Sequence, residues 1–220
     1  LYRVPPGLPL RVAVMAELMA VSYNLEKLLE FSTLAGEGFA PGCTVVVQGA
    51  GCMGVCHIIK ARVMGAGCIV AIDLSPHRLE LARQFGADHT LDANRTTAAE
   101  RIEAIQALTG GRGADVVVEC AGVAEVVPEG LEMARKGGVY LETGNFVDTG
   151  SVSLNPHRHF CARNIRLFGM TNHPFTGYVP SMALLGREAD RFPFERFVTP
   201  EYPLAQAEAA VRQSLGMERL

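Results

Sequence analysis

Apolar residues along this chain alternate between two rhythms. Short β-branched runs of strand length recur between stretches whose apolar positions return with helical spacing. CTVVVQGA, Cys43 to Ala50, follows the turn dipeptide Pro41-Gly42 and predicts a fully buried strand. Gly54 to Met64 predicts a helix, and CIVAIDL, Cys68 to Leu74, a second buried strand. Ser75-Pro76 starts a helix that runs to about Phe85, with Ser as N-cap and Pro in the first turn. HTLD, His89 to Asp92, is a short third strand, and Thr97 to Leu108 is an amphipathic helix ended by Gly110-Gly111. ADVVVECAG, Ala114 to Gly122, is a fourth strand. Ala124 to Ala134 predicts a helix, with Pro128 counting against it, since Pro inside a helix costs about 3 kcal/mol. Gly137 to Gly144 and Asn164 to Met170 are the fifth and sixth strands.

Strands alternating with helices imply a parallel sheet with helices on both faces. The fold class expected is α/β, a doubly wound six-stranded parallel sheet of the Rossmann type. Two flanks stand outside this rhythm. Val12 to Phe31 is mainly helical. Phe197 to Leu220 holds a short strand-like piece, then PLAQAEAAVRQSLG, a helix with Leu204, Ala207, Ala210 and Val211 on one side.

Composition narrows the partners. The 220 residues are 49% hydrophobic and 20% charged, as in soluble globular proteins. The net charge of −3, with no basic stripe, argues against nucleic acid as a partner. Apolar runs stop far short of a membrane span, and no secretory leader pattern is read, so a cytoplasmic protein without a membrane partner is expected. The six cysteines lack a Cys-x-x-Cys pair and are expected to be reduced and mostly buried. Cys52, Cys56 and His57 could suggest a metal, but they lie where a helix should pack on a sheet, and packing is the expectation.

The chemistry concentrates in GAGCMG, Gly49 to Gly54, which follows the first strand and opens a helix. A GxGxxG in that setting fits a dinucleotide pyrophosphate. Gly49 allows a tight turn, Gly51 lets the backbone approach the phosphates, and Gly54 lets the helix pack close to the sheet. The amides of Cys52 and Met53 then face the phosphates at the helix N-terminus. Asp73, with Leu74 beside it, ends the second strand, where a carboxylate accepts both adenosine ribose hydroxyls and repels a 2′-phosphate. NAD is therefore expected over NADP, with Arg78 flanking the adenine or ribose. Methyltransferases that use S-adenosylmethionine share this loop-and-acid arrangement, but they end in an antiparallel strand.

APGCTVVVQGAGCMG, AIDLSPHRLELARQFGADHTLD, TGGRGADVVVECAG, GGVYLETGNF and FVTPEYPLAQAEAAV together resemble the cofactor-binding half of zinc-containing medium-chain alcohol and polyol dehydrogenases. The likeness runs almost end to end, and Cys52 departs from it where many members have Pro. A free thiol there would make binding sensitive to alkylation. The resemblance implies further cofactor positions. Cys120 and Ala121 would lie beside the riboses, Thr143, Gly144 and Asn145 would offer backbone groups to the nicotinamide end, and Phe168 would lie near the carboxamide. It also implies hydride transfer between an alcohol or polyol and NAD at a zinc ion. VAVMAELMAV resembles the family helix that carries a third zinc-site residue, which falls on Glu17.

The other zinc ligands of the resembling enzymes come from a separate catalytic domain, and this sequence has neither their His-Glu pair nor four close cysteines. The chain has no initiator Met and stops at GMERL. It is expected to be the cofactor-binding part of a longer enzyme, inactive alone and without catalytic residues of its own. Residues 1–40 would be a lead-in from the catalytic domain, 41–196 the NAD-binding domain, and 197–220 a strand and helix returning towards it. His157, His159 and His173 are expected to lie in loop-like stretches, with no partner acid spaced with them in the sequence. Relatives pair through the sheet edge, so a homodimer or homotetramer near Asn164 to Thr171 is expected. Two other readings stay open: a non-catalytic nucleotide-sensing module, and a zinc-free relative resembling quinone reductases.

Overall fold

The computed structural model describes residues 2–29, 38–197 and 200–217. Helices α1 (Leu10–Ala13) and α2 (Ala16–Ser22) lead into strands and helices in strict alternation. The order is β1 (Thr44–Gln48), α3 (Cys52–Val63), β2 (Cys68–Asp73), α4 (Pro76–Gln84), β3 (His89–Asp92), α5 (Ala98–Leu108), β4 (Ala114–Glu119), α6 (Val126–Met133) and β5 (Ala134–Glu142). Then come α7 (Pro156–His159), β6 (Arg166–Gly169), α8 (Tyr178–Arg187) and α9 (Ala207–Met217). The sheet runs β3-β2-β1-β4-β5-β6, and every neighbouring pair is parallel. This is the doubly wound order, with its reversal between β1 and β4, where the carboxyl ends of strands leave a crevice for ligands. No antiparallel strand joins the sheet among the described residues, so the methyltransferase reading loses its hallmark.

Period-two alternation sorts the strand residues between two faces. Val45, Val47, Ile69, Ala71, Val116, Val118 and Leu141 pack with Ile58 and Ala61 of α3. Val46, Val70, Val117 and Tyr140 pack on the other face with Ile105 of α5 and Leu131 of α6. A third apolar layer joins Val12, Met15 and Met19 of the lead-in helices to Val55, Cys56 and Ile59 of α3 and to Leu184 and Leu185 of α8. Helix α3 is thus enclosed on both sides, as its nearly unbroken burial requires.

Local signals act where the sequence puts them. The Ser75 hydroxyl accepts from Arg78 N, with Pro76 at the first helical position. Thr97 and Glu100 cap α5 reciprocally. Pro128 falls in the first turn of α6, where a missing N–H breaks no helical bond.

Some boundaries move. Strand β5 begins at Ala134 rather than Gly137, because a register shift lets Ala134 pair with Ala114. Strand β4 ends at Glu119, not Gly122, because the Glu119 side chain takes up the next amides. Part of the late strand-like piece, Val198 and Thr199, lies outside the described residues, and residues 200–203 form no strand. The end of the lead-in, 30–37, also lies outside them. All six cysteines are free, but only Cys43 and Cys56 are buried, with Cys52 and Cys161 exposed, which corrects the expectation of mostly buried thiols. Among the described residues, no helix is long and apolar enough to cross a membrane.

Candidate functional site

The turn after β1 has the geometry that its three glycines demand. Gly49 sits at φ +88°, and a Cβ there would come within 2.6 Å of Ala121 N. A Cβ on Gly54 would lie 1.9 Å from the Gly49 carbonyl oxygen, so only glycine lets α3 approach the turn this closely. Gly51 differs. It is the N-cap of α3, and a Cβ on it would meet only Arg78 Nη1, at 3.9 Å. The space in front of Gly51 is open, as a cradle for a ligand requires. The amides of Cys52 and Met53 open the helix, where N–H groups have no intrahelical acceptor.

Asp73 closes the cradle from β2. It is buried, its Oδ2 accepts from Ala50 N at 2.7 Å, and its Oδ1 accepts from Ser75 N at 2.8 Å. Each carboxylate oxygen has a second lone pair, so the pinned group can still receive two hydroxyls. Arg78 Nη1 stands 3.9 Å from Asp73 Oδ2, over the same opening, and Leu74 is exposed beside it. The sequence-predicted adenosine-side residues therefore meet around one space.

The carboxyl ends of β4 and β5 form the other half. Thr143 Oγ1 donates to Glu119 O and touches Cys120 Sγ at 3.4 Å. Cys120 Sγ also lies 3.6 Å from His57 Nδ1. Phe168 on β6 is half-buried, packed against the same apolar layer as Cys120. The amides of these turns point inward. Ala121 N and Gly122 N donate to Glu119 Oε1 at 2.6 and 2.8 Å, and Gly144 N donates to Glu119 Oε2 at 3.0 Å. Asn145 N donates to Glu142 Oε1 at 3.0 Å, and its Nδ2 spans Glu119 Oε2 and Glu142 Oε1 at 3.3 and 3.2 Å. The Gly144 and Asn145 amides are thus already engaged by the two acids.

Glu119 and Glu142 were not among the residues that motif spacing singled out. Glu119 is fully buried, and burial with the neighbouring Glu142 carboxyl pushes its pKa up to about 8, against the pull of the Gly122 and Ala121 amides. The available signal was an acid at the end of each of two adjacent apolar strands, in VVVEC and VYLET, at paired positions.

The metal side is sparse. Glu17 lies on α2 and is about half exposed, with His173 Nε2 3.7 Å from its Oε1. Among the described residues, no three His, Cys, Asp or Glu side chains gather where they could hold a metal ion. Zinc would need ligands besides those described here. The histidines gain partners that sequence spacing does not show. His173 faces Glu17, and His159 Nε2 lies 3.3 Å from Glu132 Oε1, so both have acid partners that lie far away in sequence. His157 and His159 sit on the short helix α7, not in a loop. His57 belongs to the packing of α3. Its Nδ1 pairs with Met53 O at 2.9 Å, its Nε2 is buried without a partner, and burial lowers its pKa to about 4.

Comparisons with known proteins place the chain in a family with this fold. The family model described as "Zinc-binding dehydrogenase" matches residues 52–183. The 5-exo-hydroxycamphor dehydrogenase of Pseudomonas putida is 36% identical over 168 residues, covering 76% of this chain and 46% of that protein. An alcohol dehydrogenase structure from Thermotoga maritima superposes with a TM-score of 0.88 at 30% identity, over 99% of this chain and 57% of the other. A zinc-binding dehydrogenase structure from Sinorhizobium meliloti, bound to NADP, does so with a TM-score of 0.73 at 26% identity, over 86% and 52%. The chain spans about half the length of the curated relatives it matches.

Proposed function

The chain belongs to the zinc-binding dehydrogenase family, and from that premise we propose that it forms the NAD-binding part of an enzyme moving a hydride between an alcohol or polyol and the coenzyme. The observation that carries this reading is the paired cradle: an open space before Gly51, bounded by the pinned Asp73 carboxylate. A bound nicotinamide would accept the hydride, while zinc held together with ligands outside the described residues would polarise the alcohol oxygen. The residues of this chain bind and orient. The α3 N-terminus receives the pyrophosphate, Asp73 takes the adenosine ribose, and Cys120, Ala121, Thr143, Gly144, Asn145 and Phe168 flank the nicotinamide half. Glu17 is the residue that would reach the metal from this side. Residues 2–29 serve as a lead-in packed on α3 and α8, and the exposed side of α9 continues towards the rest of the enzyme.

NAD is preferred because Asp73 presents negative charge where NADP carries its 2′-phosphate. Arg78, 3.9 Å away, offsets part of that charge and makes the preference moderate. Parallel titrations with NAD and NADP test this. The expected result is tighter NAD binding in the parent chain and a shift towards NADP in Asp73→Ala. Tighter NADP binding by the parent would sink the assignment. Among the described residues, strand β6 pairs only with β5 and leaves one edge open, and self-association of the intact enzyme through that edge, in a cytoplasmic setting, completes the reading.

A further inference from the structure

Four donors converge on Glu119: Ala121 N, Gly122 N, Gly144 N and Asn145 Nδ2. They come from both turns that flank the nicotinamide half of the site. The turns also interlock around the carboxylate, since a Cβ on Gly144 would lie 2.2 Å from Glu119 Oε2 and 2.6 Å from Gly122 N. Glu119 is therefore the post on which both turns hang. These donors favour the charged form, while burial and the neighbouring Glu142 carboxyl favour a proton and prevail.

Beside it stands a second acid. Glu142 accepts twice through Oε1, both times from Asn145, while its Oε2 is buried and accepts from no donor among the described residues. Glu119 and Glu142 are cross-strand neighbours, and Asn145 Nδ2 bridges their carboxylates, at 3.3 Å from Glu119 Oε2 and 3.2 Å from Glu142 Oε1. A buried and a half-buried carboxylate on adjacent strands, bridged by one amide, cannot both stay charged without cost. A single proton shared by the pair relieves the repulsion. The titratable groups packed around the pair do not compete for that proton near neutral pH. Burial pushes the Cys120 thiol on β4 and the Tyr140 phenol on β5 far up, and lowers His57 on α3 to about 4. Glu129 on α6 acts on Tyr140 from farther away, and its charge is met by Arg101 at 2.7 Å.

We propose that Glu119 and Glu142 form a proton-sharing positioning pair: while one proton is shared, the β4 and β5 turns are held in register for the coenzyme, and when it is lost they are pushed apart. The inference rests on reading these turns as coenzyme contacts. It makes coenzyme affinity pH-linked through two residues that need not touch the coenzyme. Protonation favours the binding geometry, so affinity falls as pH rises through about 8, by up to about tenfold per pH unit.

The test titrates NADH into the chain between about pH 6 and about pH 10. The chain contains no Trp, so NADH emission is read without an indole background. In the parent, affinity falls on the alkaline side. In Glu142→Gln, whose amide donates permanently, that fall disappears, whatever the affinity at neutral pH. In Glu119→Gln, binding weakens about tenfold or more throughout, because an amide nitrogen faces the turn amides. An alkaline fall that persists unchanged in Glu142→Gln overturns the pair. If the parent binds no NADH at any pH, the proposed function fails instead. The pair is then judged by infrared spectroscopy: a carboxylic acid band at neutral pH that Glu142→Gln removes supports it, and its absence from the parent overturns it.

Discussion

Gly51 and Gly54 are three residues apart and do different work. A methyl group at Gly54 must displace the Gly49 carbonyl, whereas at Gly51 it enters empty space under Arg78. Gly54→Ala is therefore expected to cost about 1–3 kcal/mol of stability through overpacking. Gly51→Ala should leave the melting temperature nearly unchanged and weaken dinucleotide binding by tenfold or more, because its methyl occupies the phosphate approach. Thermal melts and NADH titrations of the two variants separate the roles. Equal loss of stability in both would contradict the cradle. The sequence pattern showed these glycines, Asp73 and Arg78, because local spacing carries their roles. It could not show Glu119 at work. Its four donors lie two to twenty-six residues downstream, and only the folding of β4 beside β5 brings them together. The same reason hid His173, whose acid partner on α2 is held against it by the packing of α2 near α8.

At the scale of elements, α3 is the hinge of the account. Its apolar residues point both ways, to the sheet through Ile58 and Ala61 and to the lead-in helices through Val55 and Ile59. A helix with two buried sides has no wide polar stripe, which is why Cys56 and His57 could be mistaken for metal ligands. His57 carries a consequence for stability. Burial lowers its pKa from 6.5 to about 4. The native state therefore favours neutral imidazole, so this contribution is fully present above the unfolded value and is lost as pH falls through about 4. The linkage is on the order of 3 kcal/mol. Denaturant melts at about pH 7 and about pH 4 should show that His57→Leu loses less stability on acidification than the parent. An identical acid loss in both would remove His57 from the account. The strand ends were harder to read than the strands themselves. Glu119 ends β4 by drawing the following amides off the ladder, and a bulged register lengthens β5 back to Ala134. Neither event has a periodic signature.

The whole molecule is a sheet whose two faces are covered and whose carboxyl edge gathers the chemistry. The glycine turn, Asp73, the β4 and β5 turns and Phe168 all follow from the strand order, in which β1 and β4 meet at the reversal. The doubly wound parallel sheet was legible, since alternating strands and helices admit few parallel arrangements, while its strand order came from the structure. The apolar residues Phe146, Phe175, Leu204 and Val211 stay more than half exposed. Their solvent-facing positions fit a chain that spans about half the length of its relatives. The central claim is that a dinucleotide lies along this edge, from Asp73 to the β5 turn. Amide NMR of the nitrogen-15-labelled chain, titrated with NADH, tests it most directly. Saturable shifts are expected, clustered at Gly49–Gly54, Asp73–Leu74, Cys120–Gly122 and Thr143–Asn145. Shifts that fail to saturate, or that gather instead around the surface depression lined by Arg62, Arg83 and Arg191, would contradict it.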